Sequence, residues 1–172
     1  MTLSQQRGNH LHLDCFSGIA GDMVLGSLIA LGAPQEAIEE TLKGLPLQSW
    51  SISFPKRDVG HEMYGTGVAV VVEVTEGHAA GDHHHGHRAY REIKEMIHSA
   101  QMTQGARSKA LSIFAAIARA EAEIHQTPIE DVCFHEVGAV DSIIDIVGVA
   151  VALDKLNVTT LSVSPMPLSR GL

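Results

Sequence analysis

The stretch Phe134-His135-Glu136-Val137-Gly138-Ala139-Val140-Asp141-Ser142-Ile143-Ile144-Asp145-Ile146-Val147-Gly148 constrains this chain more than any other. It places two acids four residues apart at the start of an otherwise apolar helix, expected over 139–156. Residues i and i+4 share a helix face, so Asp141 and Asp145 stack one turn apart. Val140, Ile143, Ile144, Ile146, Val147 and Val149 through Leu153 cover nearly every other direction. A helix apolar all round is a buried helix, and an ionised carboxylate buried without a partner is costly. Such acids are paired, protonated, metal-bound or lining a cleft. A bland alternative remains for Asp141, since Asp is a good helix starter. It does not extend to Asp145, one turn inside.

At 172 residues the chain suits one domain with a full core. The pattern predicts a polar, disordered tail over 1–9 and a single α/β domain over 10–172. Twelve basic residues stand against 20 acidic, for a formal net charge of −8. No Lys/Arg cluster offers an electrostatic footprint for a nucleic-acid polymer. No 18-residue apolar run suggests a membrane span, and no secretory leader is visible. Two cysteines, Cys15 and Cys133, make no disulfide framework and fit no zinc motif; both read as buried, inert thiols of a reduced, cytoplasmic protein.

Residues 10–16 alternate in period two as a strand, with His10, His12 and Asp14 on one face. The turn Ser17-Gly18-Ile19-Ala20-Gly21-Asp22 leads into a helix over 23–31 that Asp22 can cap and Gly32 ends. Further helices are expected over 35–43, 89–100 and 106–126. Strands are expected over 50–54, 68–74, 132–134 and 160–163, with 68–74 central in its sheet. Strand–helix units together with a hairpin give an α/β class, a mixed sheet flanked by helices, its order left open. Residues 164–172 follow the last strand without a closing element, which suggests part of a longer protein.

Three groups can carry chemistry. The first is a histidine-rich loop over 75–88, with His78, His83, His84, His85 and His87. Imidazole is the commonest ligand for transition metals, and Cu(II) outranks Ni(II) and Zn(II) on affinity alone, so the loop does not name its metal. A merely solvated polar loop is the alternative. The second is His135, Glu136, Asp141 and Asp145, which can ligate a divalent cation or move protons. The third is Asp14 and Asp22 flanking Ser17, Gly18 and Gly21, at the carboxyl end of a strand, where open α/β sheets place ligands. A helix N-terminus there suits a phosphate, two acids suit a cation, and a metal bridging acid and phosphate satisfies both.

Asp14-Cys15-Phe16-Ser17-Gly18-Ile19-Ala20-Gly21-Asp22-Met23, the histidine run ahead of two helices, and Phe134 through Ile146 together resemble the LarC nickel-insertion family, in the same order and over roughly 10–166. The resemblance implies delivery of Ni(II) to pyridinium-3,5-bisthiocarboxylic acid mononucleotide, giving the nickel-pincer cofactor of lactate racemase-type enzymes. It implies a nickel chelatase (a cyclometallase of the lyase class) that forms one carbon–nickel and two sulfur–nickel bonds. It also implies use of CTP with Mg or Mn, and the loop histidines as nickel collector. Family members continue into a C-terminal region implicated in nucleotide binding and oligomerisation, which this chain lacks, so a C-terminal partner domain or chain and a homo-oligomer belong to the expectation. In the roles assigned here, His135, Glu136, Asp141, Asp145, Asp14 and Asp22 do the chemistry, and Ser17, Gly18 and Gly21 seat the mononucleotide phosphate. Two rivals stand beside this reading. One is a non-catalytic nickel store or metallochaperone, which needs no buried Asp145. The other is a metal-dependent phosphohydrolase.

Overall fold

A computed structural model of the chain describes residues 8–58, 60, 64–72, 88–134 and 137–167. The histidine loop, His135 and Glu136 lie outside the described residues.

The elements follow in chain order. Strand β1 is Asn9–Leu13, helix α1 Gly21–Ala30, helix α2 Gln35–Lys43 and strand β2 Trp50–Ser53. Strands β3 (Lys56–Asp58), β4 (Tyr64–Thr66) and β5 (Ala69–Val72) come next. Strand β6 (Arg88–Ala89) runs directly into helix α3 (Tyr90–Ser99), followed by helix α4 (Gln104–His125). A single 3-10 turn over Ile129–Asp131 precedes strand β7 (Cys133–Phe134), and helix α5 (Val140–Lys155) and strand β8 (Val158–Val163) complete the series. The chain is therefore mixed α/β. Among the described residues the strands form four pairs: β1–β8 parallel, and β2–β5, β3–β4 and β6–β7 antiparallel.

Helix α5 forms the centre. It packs against α1, α2 and α4, and its Ile143, Ile144, Val147, Ala150 and Ala152 are fully buried. Leu25 and Leu28 of α1, Ile38 and Leu42 of α2, Ile93 and Ile97 of α3 and Phe114 of α4 close the core around it. Phe134 carries β7 into the same core. Its ring meets Tyr90 edge-on at 6.3 Å and Phe114 at 6.2 Å, separations at which aromatic pairs attract beyond area burial.

Several sequence expectations need correction. The run at 68–74 is not central: β5 pairs only with β2 among the described residues, and Val71 and Val72 are 57% and 43% exposed. β-branched residues favour a strand without specifying its neighbours. Cys15 is buried as expected, but Cys133 is exposed. The period-two alternation that sends Phe134 inward turns Cys133 outward. Asp22 does not cap α1, whose N-cap is Ala20; it sits in the first turn, where its carboxylate accepts from the Met23 N–H at 2.8 Å. Asp141 stands likewise in the first turn of α5 behind an Ala139 N-cap, accepting from the Ser142 N–H at 2.8 Å. Asn9 already belongs to β1, anchored through its side-chain amide to the Leu156 carbonyl at 2.7 Å.

The aromatic contact at Phe134 ties β7 to α3 and α4. Phe114→Ala leaves a cavity beneath it and should lower stability by about 3–5 kcal/mol, measured by urea denaturation.

Candidate functional site

The site forms where the first turns of α1 and α5 meet. Both helices are apolar enough to be driven together, and Gly21 lets them touch. A Cβ added at Gly21 would lie 2.8 Å from both Cβ and Oδ2 of Asp145, too close for any other residue without a shift. The sequence assigned Gly21 to a phosphate; the side chain packed against it is the Asp145 carboxylate.

Asp145 is half-buried at this junction. Its Oδ1 is buried with no hydrogen-bond partner among the described residues. Burial, and after it the charges of Asp22 and Asp141, push its carboxyl up from the ordinary 3.8 to about 6, while the Asp22 backbone N–H acts in the opposite direction. Asp22, Asp141 and Asp145 are thus one electrostatic group, drawn from two helix N-termini. A buried carboxylate oxygen without a donor, facing two more acids, is a poor site for an anion and a favourable one for a cation. Among the described residues no group of three or more His, Cys, Asp or Glu side chains is placed to hold a metal ion by itself.

Asp14 and Gly18 sit elsewhere. They line a cleft of about 230 Å³ with Leu11, His12, Cys15, Ile19, Met23 and Ser27, between the end of β1 and the flank of α1. Gly18 has φ of +95°, a left-handed conformation suited to glycine, and its N–H closes the turn on the Cys15 carbonyl at 3.0 Å. Ser17 is exposed on this turn. The turn is held from the far end of the chain: the Ser164 hydroxyl accepts from the Cys15 N–H at 2.7 Å, and the Ser164 N–H donates to the Leu13 carbonyl at 2.9 Å. Asp14 is exposed and Asp145 is not in the cleft lining, so the acids divide into a trio at the helix junction and one at the strand end.

His135, Glu136 and the loop histidines lie outside the described residues, but their chain neighbours do not. Arg88, directly after the loop, pairs with Phe134, directly before His135. The Arg88 guanidinium also donates to the Gly138 carbonyl at 2.6 Å. Arg88 therefore clamps both sides of the His-Glu dipeptide. Nothing local in the sequence signals it, because both its partners are distant in the chain.

The family model described as nickel insertion protein matches residues 11–172. The chain belongs to the nickel insertion protein family. It is 44% identical over 162 residues to the pyridinium-3,5-bisthiocarboxylic acid mononucleotide nickel insertion protein of Geobacillus kaustophilus, covering 94% of this chain and 39% of that protein. It is 42% identical over 156 residues to the protein of the same name in Acetivibrio thermocellus, covering 91% and 38%. Against the namesake in Staphylococcus saprophyticus it is 40% identical over 164 residues, covering 95% and 39%. The chain thus spans about two fifths of the length of these relatives. No solved structure matches it. Among the described residues no helix is long and apolar enough to cross a membrane.

The raised Asp145 carboxyl sets a pH dependence. A folded-state acid that holds its proton more tightly than the unfolded chain favours folding at low pH. That contribution is lost as pH rises through about 6. Asp145→Asn should therefore be more stable than the parent at pH 7.5, and the difference should shrink toward pH 4, read by urea denaturation at both values.

Proposed function

We propose that this chain carries the metal-handling part of nickel insertion into pyridinium-3,5-bisthiocarboxylic acid mononucleotide. The single observation that carries the reading is the buried Asp145 oxygen, without a hydrogen-bond partner among the described residues, within an acid trio in a chain of the nickel insertion family. The names of the relatives supply the substrate.

In this reading the loop histidines His78, His83, His84, His85 and His87 collect Ni(II), which is substrate. Exposed imidazoles bind the ion tightly enough to capture it and loosely enough to give it up. The pairing of Arg88 with Phe134 supports a short transfer, because it joins the loop's end to the start of the His135-Glu136 dipeptide. Asp22, Asp141 and Asp145 then neutralise and orient the ion. Metallation of the pyridinium carbon releases a proton. A carboxylate of the trio, freed as the ion passes to the substrate, can accept it and return it to water. Asp145 is assigned that role, with His135 and Glu136 as its relay. Asp14 and Gly18, which line the cleft beside α1, would seat the mononucleotide phosphate through the metal, with Ser17 on the same turn and Gly21 at the helix junction.

The finer elements of the proposal follow the family resemblance: the nickel-pincer cofactor of lactate racemase-type enzymes as product, a cyclometallase of the lyase class, CTP with Mg or Mn as co-substrate, and a cytoplasmic setting. Dependence on CTP and homo-oligomer formation are assigned to the longer relatives' remaining length. A pure nickel store would explain the loop but not the acid trio.

The test mixes the chain with Ni(II), CTP and the thiocarboxylate mononucleotide, with and without the C-terminal region of a relative, and follows the pincer product by mass spectrometry. Asp145→Ala should abolish product while nickel binding to the histidine loop survives. Undiminished product from that variant would refute the assignment.

A further inference from the structure

The outer face of the β1–β8 pair carries two histidines that the acid trio does not use. On a strand, residues i and i+2 point the same way, so His10 and His12 stand side by side. The parallel register sets His10 opposite Thr160 and His12 opposite Ser162. Both rings converge on one hydroxyl: His10 Nε2 lies 2.9 Å, and His12 Nδ1 2.8 Å, from Ser162 Oγ. The other nitrogen of His10 is held by Thr160 Oγ1 at 2.8 Å. Both histidines are exposed, and all of these ring partners are hydroxyls.

Ser162 can accept from one ring and donate to the other, so without a metal it bridges the two converging nitrogens. A metal cation instead takes a lone pair from each. Thr160 supplies what a ligating imidazole usually has, a hydrogen bond to its second nitrogen that fixes the ring's tautomer and orientation. The pair also lies beside the cleft, because His12 lines it together with Asp14 and Gly18.

We propose that His10 and His12 form a two-imidazole nickel site on the outer face of β1, a staging position beside the cleft along α1. Nickel as occupant rests on the nickel reading above; imidazole suits Ni(II) as a ligand. Two protein ligands leave most of the coordination sphere to water, so the ion exchanges readily. That suits an ion in transit and not a structural one.

The experiment uses the whole chain with its five loop histidines, His78, His83, His84, His85 and His87, replaced by Gln. Nickel binding is measured by equilibrium dialysis at pH 7.5, and ligand type by X-ray absorption at the nickel edge. This variant should retain nickel with a two-imidazole signature. Adding His10→Ala and His12→Ala should remove that signature and one equivalent of bound nickel, leaving only what the acid trio holds, with circular dichroism unchanged. Thr160→Val, which keeps the strand but frees His10 Nδ1, should weaken binding by about tenfold. The proposal is overturned if the loop variant binds no nickel, or if the double alanine variant still holds it with the same signature. The two readings fail separately. Nickel on these histidines without any product would refute insertion alone, whereas product without nickel on them would refute the staging site alone.

Discussion

The arrangement depends on how α5 is buried. Ile143, Ile144, Val147, Ala150 and Ala152 leave it no solvent-facing alternative, so hydrophobic packing against α1, α2 and α4 fixes its depth and rotation. Asp145 follows passively. One turn into the helix, its carboxyl is half-buried, with Oδ1 shut off from solvent. Gly21 allows α1 to press against it from the other side. The raised carboxyl is therefore a consequence of core packing, held in place by far more buried apolar surface than the charge can oppose. Such strain is retained where a ligand relieves it.

The electrostatics also impose an order of events on the proposed reaction. Two helix N-termini meet at the trio, and their positive ends offset part of the acids' charge. The offset is incomplete, since Asp145 still holds its proton up to about pH 6 with Asp22 and Asp141 nearby. An anionic mononucleotide approaching the bare trio meets repulsion. Once a divalent cation sits among the acids, the same position attracts it. Metal first and nucleotide second is the sequence that this charge distribution favours.

The sequence revealed some of this and hid the rest for identifiable reasons. The apolar helix with its two acids was legible because periodicity is local: α5 falls within a residue of its expected bounds, and the helices at 35–43 and 89–100 also matched closely. The β3–β4 hairpin was not read, because Lys56-Arg57-Asp58 carries no apolar alternation and only its pairing with Tyr64–Thr66 makes it a strand. Cys133 was misplaced because two residues are too few to show which face of a strand is inward. Asp22 was read as a cap, and capping was the bland alternative for Asp141, both from residue preference alone. The N-caps are instead alanines two residues earlier, leaving the acids in the first turn. The trio itself needed the α1–α5 contact, which no local pattern encodes. Of the expected site, Asp22, Asp141, Asp145 and Gly21 come together, while Asp14, Ser17 and Gly18 belong to the neighbouring strand-end turn.

Arg88 shows how a short ladder can do the work of a domain interface. The histidine-rich segment 75–87 and the His135-Glu136 dipeptide are about fifty positions apart in sequence, and helices α3 and α4 fill the interval. Their chain ends are nevertheless adjacent, because Arg88 pairs with Phe134 and its guanidinium grips the Gly138 carbonyl. Phe134 is in turn fixed by Tyr90 and Phe114, so the ladder is anchored in the core. The described residues that follow the histidine-rich segment and those that flank the dipeptide are thereby held together by one two-residue ladder and one side-chain hydrogen bond.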